Sequence, residues 1–406
     1  MQIIDGGITS PKKFKATGNY IGIKRKRKDL AIIYSEIPAK SAATFTTNVV
    51  KAAPVLWNQK LINQKENIQA IVVNSGNANA CTGDRGMADT IKMAQTVADC
   101  LNLKKEEVLV ASTGVIGVPL PMDIICTGIK KTVIDLNSSR ESAKQAAEAI
   151  MTTDTFPKEI AVTFNIQGKT ITIGGMAKGS GMIHPNMATM LSFITTDLNI
   201  SQELLRKTLK ESVVDSYNMI SVDGDTSTND MVLVLANGAA GNEIIDTENE
   251  DYKIFKEAFD YVNTYLAKQI VKDGEGAGKF IEVKVKGTKT KDDARILSKS
   301  IITSNLVKTA FFGADANWGR IMCAMGYSGV NFNTNKVTIK FISKNGEITL
   351  IEKGLPLNFD EDLSLKILQE KDIKVIVLLE EGQEEATAWG CDLSYEYVRI
   401  NAEYRT

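Results

Sequence analysis

The stretch IAVTFNIQGKTITIGGMAKG, residues 160–179, alternates apolar and polar residues on both sides of Gln167 and Gly168. A period of two buries one face of a strand, and a Gly-containing pair between two such runs folds them back on each other. The segment therefore reads as an antiparallel hairpin. Runs of the same character recur at DLAIIYSEI near 29, IQAIVVNSG near 68 and EVLVAS near 107. MLSFITTDL, DMVLVLANG, KFIEVKVKG and KVTIKFISKNGEITLIEKG follow, the last with a two-residue turn expected at Asn345 and Gly346. Between them, GDRGMADTIKMAQTVADCLNL and NSSRESAKQAAEAIMTT read as helices, Ser138 or Ser139 capping the second. SQELLRKTLKESVVDSY, capped by Ser201, stacks Leu205, Leu209 and Val213, and a further helix carries Phe255, Phe259, Val262 and Leu266. Both halves are thus mixed α and β.

No repeat of 20 to 50 residues is present, which argues against solenoids and propellers. A length of 406 residues suits two or three domains or one large α/β unit. No Pro/Gly/Ser-rich linker divides the chain, and the candidate boundary is GGMAKGSGMIHPNMAT itself. Hydrophobic residues at 43%, charged residues at 24% and a formal net charge of −1 describe an ordinary globular chain. That balance favours neither nucleic acid nor an anionic membrane as a partner. The five cysteines, Cys81, Cys100, Cys126, Cys323 and Cys391, are scattered, odd in number and form no C-x-x-C pair. A reduced, cytoplasmic setting fits them best. The start, MQIIDGGITSPKKFKATG, lacks an apolar signal core, and no stretch approaches the ~18 apolar residues of a membrane span.

A single histidine, His184, excludes several chemistries. Histidine-rich zinc sites need more than one imidazole, no G-x-S-x-G elbow is present, and no metal site is expected. His184, beside a proline, reads as a local hydrogen-bonding residue. DGEGAGKF, residues 273–280, fails as a phosphate loop: Asp273 replaces the first glycine and Phe280 the Ser or Thr that would hold magnesium. It reads as a loop before a strand, with Glu275 a carboxylate that the glycines could bring to a ligand. SVDGDTSTND, 221–230, fails as a calcium loop at Thr228 and reads as a polar turn that could line a site. KRKRKD, 24–29, reads as a solvated turn or edge.

Two stretches stay open on the residues alone. ASTGVIGVPLP, 111–121, offers the Thr113 hydroxyl beside Gly114, which suits either an oxyanion site or an ordinary turn. HPNMATMLSFITTDL, 184–198, sets Thr189 at the start of a β-prone run behind small Ala188, with four glycines upstream in the GGMAKGSG segment. It is either a loop feeding a strand or a strained loop holding one peptide bond for self-cleavage. A cut there would give Thr189 a hydroxyl nucleophile and its own α-amine as base.

MTTDTFPK, GGMAKGSGMIHPNMATML, NSGNANACTG, STGVIG, DGDTSTND, GEGAGK, GADANWGR and NAEYRT together resemble the ornithine acetyltransferases, the glutamate N-acetyltransferases of arginine biosynthesis. The resemblance implies a layered α-β-β-α sandwich of the N-terminal-nucleophile-like type. It implies self-cleavage between Ala188 and Thr189 into an α chain (1–188) and a β chain (189–406) that stay together, two of each in the assembly. Thr189 would take the acetyl group of N2-acetylornithine and pass it to glutamate, with acetyl-CoA as a further donor substrate and no bound cofactor. Thr113 and Gly114 match the oxyanion-hole pair; Thr152, Lys178, Thr189, Glu275, Asn401 and Thr406 match substrate-binding positions. The rival enzyme reading is an N-terminal-threonine amidase or aminopeptidase of similar fold, which hydrolyses instead of transferring. A non-catalytic protein holding an amino acid or nucleotide at its glycine loops is the rival outside enzymes.

Overall fold

The computed structural model of the chain describes residues 1–64, 67–184 and 190–403. Among these residues the strands form two sheets. The first contains β1 (Gln2–Ile4), β2 (Phe14–Asn19), β3 (Leu30–Phe45), β4 (Ile68–Asn77), β5 (Val108–Val115), β6 (Lys158–Ile166), β7 (Lys169–Lys178) and β8 (Leu191–Thr196). It is completed by β10 (Met231–Ala236), and β9 (Ile220–Ser221) belongs to the second sheet. That second sheet continues with β11 (Phe280–Thr288), β12 (Thr338–Ser343), β13 (Gly346–Glu352), β14 (Leu355–Pro356), β15 (Asp372–Leu378) and β16 (Glu384–Cys391). The helices are α1 (Ala53–Gln64), α2 (Gly83–Leu101), α3 (Met122–Thr132), α4 (Arg140–Ala149), α5 (Gln202–Val214) and α6 (Glu250–Lys272). After them come α7 (Lys291–Thr303), α8 (Asn305–Phe312), α9 (Trp318–Gly326), α10 (Glu361–Leu368) and α11 (Tyr395–Glu403).

The expected hairpin is β6–β7, with Ile166 opposite Lys169 and the turn residues Gln167 and Gly168 at φ of 52° and 72°. Positive φ at both central positions matches the right-handed twist of the strands, so the turn closes without splaying them. The strand order in the first sheet is β1-β6-β7-β8-β10-β3-β4-β5, with β2 added against β3. Strand β3 carries the sheet through a bend: its first part pairs with β2 and β4, its last part with β10, and its register with β4 shifts between Tyr34 and Ala39.

Side-chain alternation then sets the layers. In β10, Met231, Leu233 and Leu235 join one apolar core with Ile32, Ile33 and Ile71, while Val232 and Val234 join another with α5 and α6. Strand β8 divides the same way, Phe193 to the first core and Ile194 to the second. The two portions of the folded-over sheet thus face each other. Buried residues of α1, α2 and α3 complete the first core, and Leu205, Leu209, Phe255, Phe259, Val262 and Leu266 of α5 and α6 the second. This is the α-β-β-α layering the resemblance implies. Burying a Phe or Leu side chain contributes roughly 1.5–3 kcal/mol each, so both interfaces are strongly held. The second sheet extends this plan: Ile281, Val283 and Val285 of β11 join the α6 core, with α7 packed on β11 and β16.

The predicted caps form: the Ser139 and Ser201 hydroxyls accept from the amides of Ser142 (3.2 Å) and Leu204 (3.3 Å). One turn is displaced from its expected position. In the β12–β13 hairpin Ser343 pairs with Gly346, so the turn residues are Lys344 and Asn345, not Asn345 and Gly346. The Asn345 amide is engaged instead by the Lys366 carbonyl (3.0 Å) and Glu370 (2.7 Å), and Gly346 opens β13 at φ +135°.

Candidate active site

Strands β4 and β5 run parallel with Ser75 beside Thr113 and Gly76 beside Gly114. Gly114 sits at φ +129°, and a Cβ there would lie 2.2 Å from the carbonyl carbon of Gly76. Only glycine fits so close a backbone approach. It leaves the Thr113 hydroxyl at the edge of a cavity of ≈ 140 Å3. Thr152 reaches the same cavity from the loop after α4, Lys178 from the end of β7, Glu275 from the loop after α6 and Asn401 from α11. Six of the residues matched by motif are therefore brought to one place. Ala188, Thr189 and Thr406 lie outside the described residues.

Lys178 is 7% exposed, and its ammonium donates to the hydroxyls of Thr152 (2.9 Å) and Thr113 (3.3 Å). Burial pulls its pKa below the usual lysine value, an effect that Asp154 opposes and Lys158 reinforces. Across the cavity the Glu275 carboxylate accepts from the Asn401 amide at 2.8 Å. The Glu275 backbone amide donates to the Ser180 carbonyl at 2.9 Å, which fixes the loop against the end of β7. The cavity thus presents a cation and a carboxylate. Asp223, half-buried, so that desolvation raises its pKa, accepts from the amides of Met182 (2.6 Å) and Ile183 (2.8 Å) and from the Tyr397 hydroxyl (3.2 Å). It ties the segment leading to 185–189 to α11.

Several residues that hold the site stand in stretches quoted above, but nothing in the sequence marks their bracing role. Asp154 accepts from Lys158 Nζ and the Gly179 amide, both at 2.7 Å, and from the Thr152 amide at 2.9 Å. Lys158 also pairs with Asp273, whose carboxylate accepts from the Thr155 amide and hydroxyl. The solvated-turn reading of KRKRKD needs correction. Arg25, Lys26 and Arg27 are exposed, but Asp29 is fully buried and accepts four amides, those of Ile21, Gly22, Ile23 and Lys24, at 2.7–3.2 Å. That turn sends Lys24 Nζ inward to the Met151 carbonyl (2.6 Å), and Arg27 reaches the carbonyls of Thr152 and Asp154 (3.3 Å each). Burial lowers the Lys24 pKa to about 8.

The loop 273–280 runs from α6 into β11, as expected, and SVDGDTSTND delivers Ser227 to the cavity wall. Asn229 from that turn braces β5, its amide donating to the carbonyls of Ala78 (2.6 Å) and Ser112 (2.8 Å). His184 makes the local contact expected of it, Nδ1 lying 3.2 Å from the Ser221 hydroxyl. Burial first, and Lys299 second, depress its pKa to about 4. The imidazole is neutral at working pH.

Residues 15–406 match the model of the ArgJ family. The chain belongs to the ArgJ family. It is 58% identical over 400 residues to arginine biosynthesis bifunctional protein ArgJ 1 of Clostridium acetobutylicum, covering 98% of this chain and 97% of the relative. It is 54% identical over 406 residues to the arginine biosynthesis bifunctional protein ArgJ of Caldanaerobacter subterraneus subsp. tengcongensis, with both chains fully covered. It is also 52% identical over 412 residues to the glutamate N-acetyltransferase of Methanocaldococcus jannaschii, again with both fully covered.

Proposed function

We propose that this ArgJ-family chain transfers the acetyl group of N2-acetylornithine to glutamate, in arginine biosynthesis, through an acetyl-enzyme on Thr189. The supporting observation is the cavity itself: one buried cation, Lys178, and one carboxylate, Glu275, flank the Thr113 hydroxyl in ≈ 140 Å3. N2-acetylornithine carries an α-carboxylate beside its acetamide and an ammonium at the end of its side chain, so two opposite charges can orient it, and the α-carboxylate that glutamate shares gives Lys178 the same partner.

In this reading the chain first cleaves itself between Ala188 and Thr189, giving an α chain (1–188) and a β chain (189–406). The freed α-amine, with an ordinary pKa of ~7.7–8.0, serves as base for the Thr189 hydroxyl. Attack on the acetyl carbonyl forms the Thr189 ester and releases ornithine. Thr113 and Gly114 steady the oxyanion. Thr152, Lys178, Glu275, Asn401 and Thr406 hold the amino acid, and the glutamate amine then attacks the ester. The close walls favour amine over water as acceptor, and the covalent intermediate makes the kinetics ping-pong. Acetyl-CoA is a second donor, the assembly holds two α and two β chains, and the setting is the cytoplasm. Among the described residues no helix is long and apolar enough to cross a membrane.

Intact mass spectrometry under denaturing conditions tests the first step. Two species summing to the full chain plus one water, the second beginning at Thr189, are expected, and Thr189→Ala should give one uncut, inactive chain. Cleavage of Thr189→Ala at the same bond would refute the role of Thr189. Ornithine release from acetylornithine that glutamate does not accelerate would favour the amidase reading.

A further inference from the structure

Lys178 is buried, yet its ammonium touches two hydroxyls and no carboxylate oxygen among the described residues. Burying an ammonium is costly unless a counter-charge lies close. Behind it stand Asp154, Lys158 and Asp273, at most 2% exposed at their side chains, with one ammonium between two carboxylates. Two carboxylates and one lysine leave that cluster with a net charge of −1, and Lys178 is the second cation that balances it.

The same cluster touches the segments that supply three walls of the cavity. Asp154 accepts from the amide of Thr152 itself and from that of Gly179, next to Lys178. Through Lys158 it is linked to Asp273, whose own carbonyl accepts from Ser180 and whose chain leads two residues on to Glu275. We propose that Asp154, Lys158 and Asp273 are positioning residues: their surplus negative charge keeps Lys178 cationic, and their hydrogen bonds keep the Thr152, Lys178 and Glu275 walls in register. The proposal rests on the acetyl-transfer reading only for its assay. Asparagine at 154 cannot serve three donors with its single remaining oxygen, so it weakens both parts of the role. The charged groups facing Lys178 are Asp154, Lys158, Asp230, Glu275 and Lys24. Removing the Asp154 charge leaves two opposing cations with fewer carboxylates, and the Lys178 proton is lost at lower pH.

The experiment is the pH profile of kcat/KM for acetylornithine-to-glutamate transfer by the full chain, wild type against Asp154→Asn and Asp273→Asn, each checked for folding by circular dichroism. Asp273→Asn keeps an oxygen for Thr155 and leaves Lys158 with Asp154 as a neutral pair, so it is the milder change. The expected result is an alkaline limb displaced downward by about one pH unit in Asp154→Asn, a roughly tenfold loss on that limb, and by less in Asp273→Asn. A role in folding alone would lower activity evenly across pH. Folded variants whose limb stays in place overturn the proposal, and so does failure of both to fold. Absence of transfer by the wild type would instead refute the functional reading.

Discussion

Gly181 lies directly against the Glu275 carboxylate: a Cβ on Gly181 would stand 2.3 Å from Glu275 Oε2 and Cδ. The obstructed atoms are the far end of a flexible side chain, not backbone. The fold can therefore accept Gly181→Ala, while the carboxylate must swing away and give up its bond to Asn401. We expect Gly181→Ala to fold with wild-type circular dichroism and to raise the KM for the amino-acid substrate about tenfold, roughly 1.4 kcal/mol of binding. An unchanged KM would show that Glu275 does not hold substrate in that position.

Thr113 and Gly114 should separate chemistry from folding. Thr113→Ala removes the hydroxyl of a cavity residue that is 9% exposed and should reduce kcat by ~10²–10³, with thermal stability little altered. Gly114→Ala forces a side chain at φ +129° into the Gly76 backbone and should lower unfolding free energy by at least ~2 kcal/mol. Urea denaturation beside steady-state rates distinguishes the two. Equal loss of stability in both variants would contradict the assignment.

Asp29→Ala leaves four amides, those of residues 21 to 24, without their acceptor. Stranded buried donors cost roughly 1–3 kcal/mol each, less whatever water recovers, so a loss of ~3 kcal/mol or more is expected. Lys24 and Arg27, which this turn aims at residues 151–154, should lose their places as well. A variant as stable as wild type in urea would show that water satisfies those amides.

His184 gives a pH signature. Its folded pKa, about 4, lies below the ordinary 6.5, so between those values the unfolded chain binds a proton that the native one refuses. Its contribution is present above pH 6.5 and is lost as pH falls toward 4. The stability of wild type relative to His184→Asn should therefore fall as pH drops from 6.5 toward 4. Parallel curves across that window would show an imidazole that titrates normally.

Local letters carried much of this architecture and little of the bracing behind the cavity. The Gln167–Gly168 turn, the Ser139 and Ser201 caps and the apolar faces of α5 and α6 depend on neighbours in sequence, so short-range patterns reveal them. Thr113, Gly114, Lys178 and Glu275 each stand in a glycine-bearing motif whose chemistry is legible on its own. Asp154 and Lys158 lie in MTTDTFPK and Asp273 heads DGEGAGKF, but a bracing role for two aspartates and a lysine shows only when segments 118 residues apart meet. KRKRKD is opaque for a related reason: a run of charges reads as solvated, and only the fold shows Asp29 turned inward to collect amides. The turn at Asn345 falls one residue earlier than the local pattern predicts, and α10, 16 or more residues downstream, holds the Asn345 side chain.

The strand order has one more consequence. β8 and β10, from beyond residue 189, lie between β7 and β3, from before it. Each half of the chain is thus the missing slat of the other's blind. A nick between them would change the number of peptides without changing the number of folding units, and neither piece, made alone, would have its neighbours to close against. Dilution should not part them, and mixing separately refolded pieces should restore little.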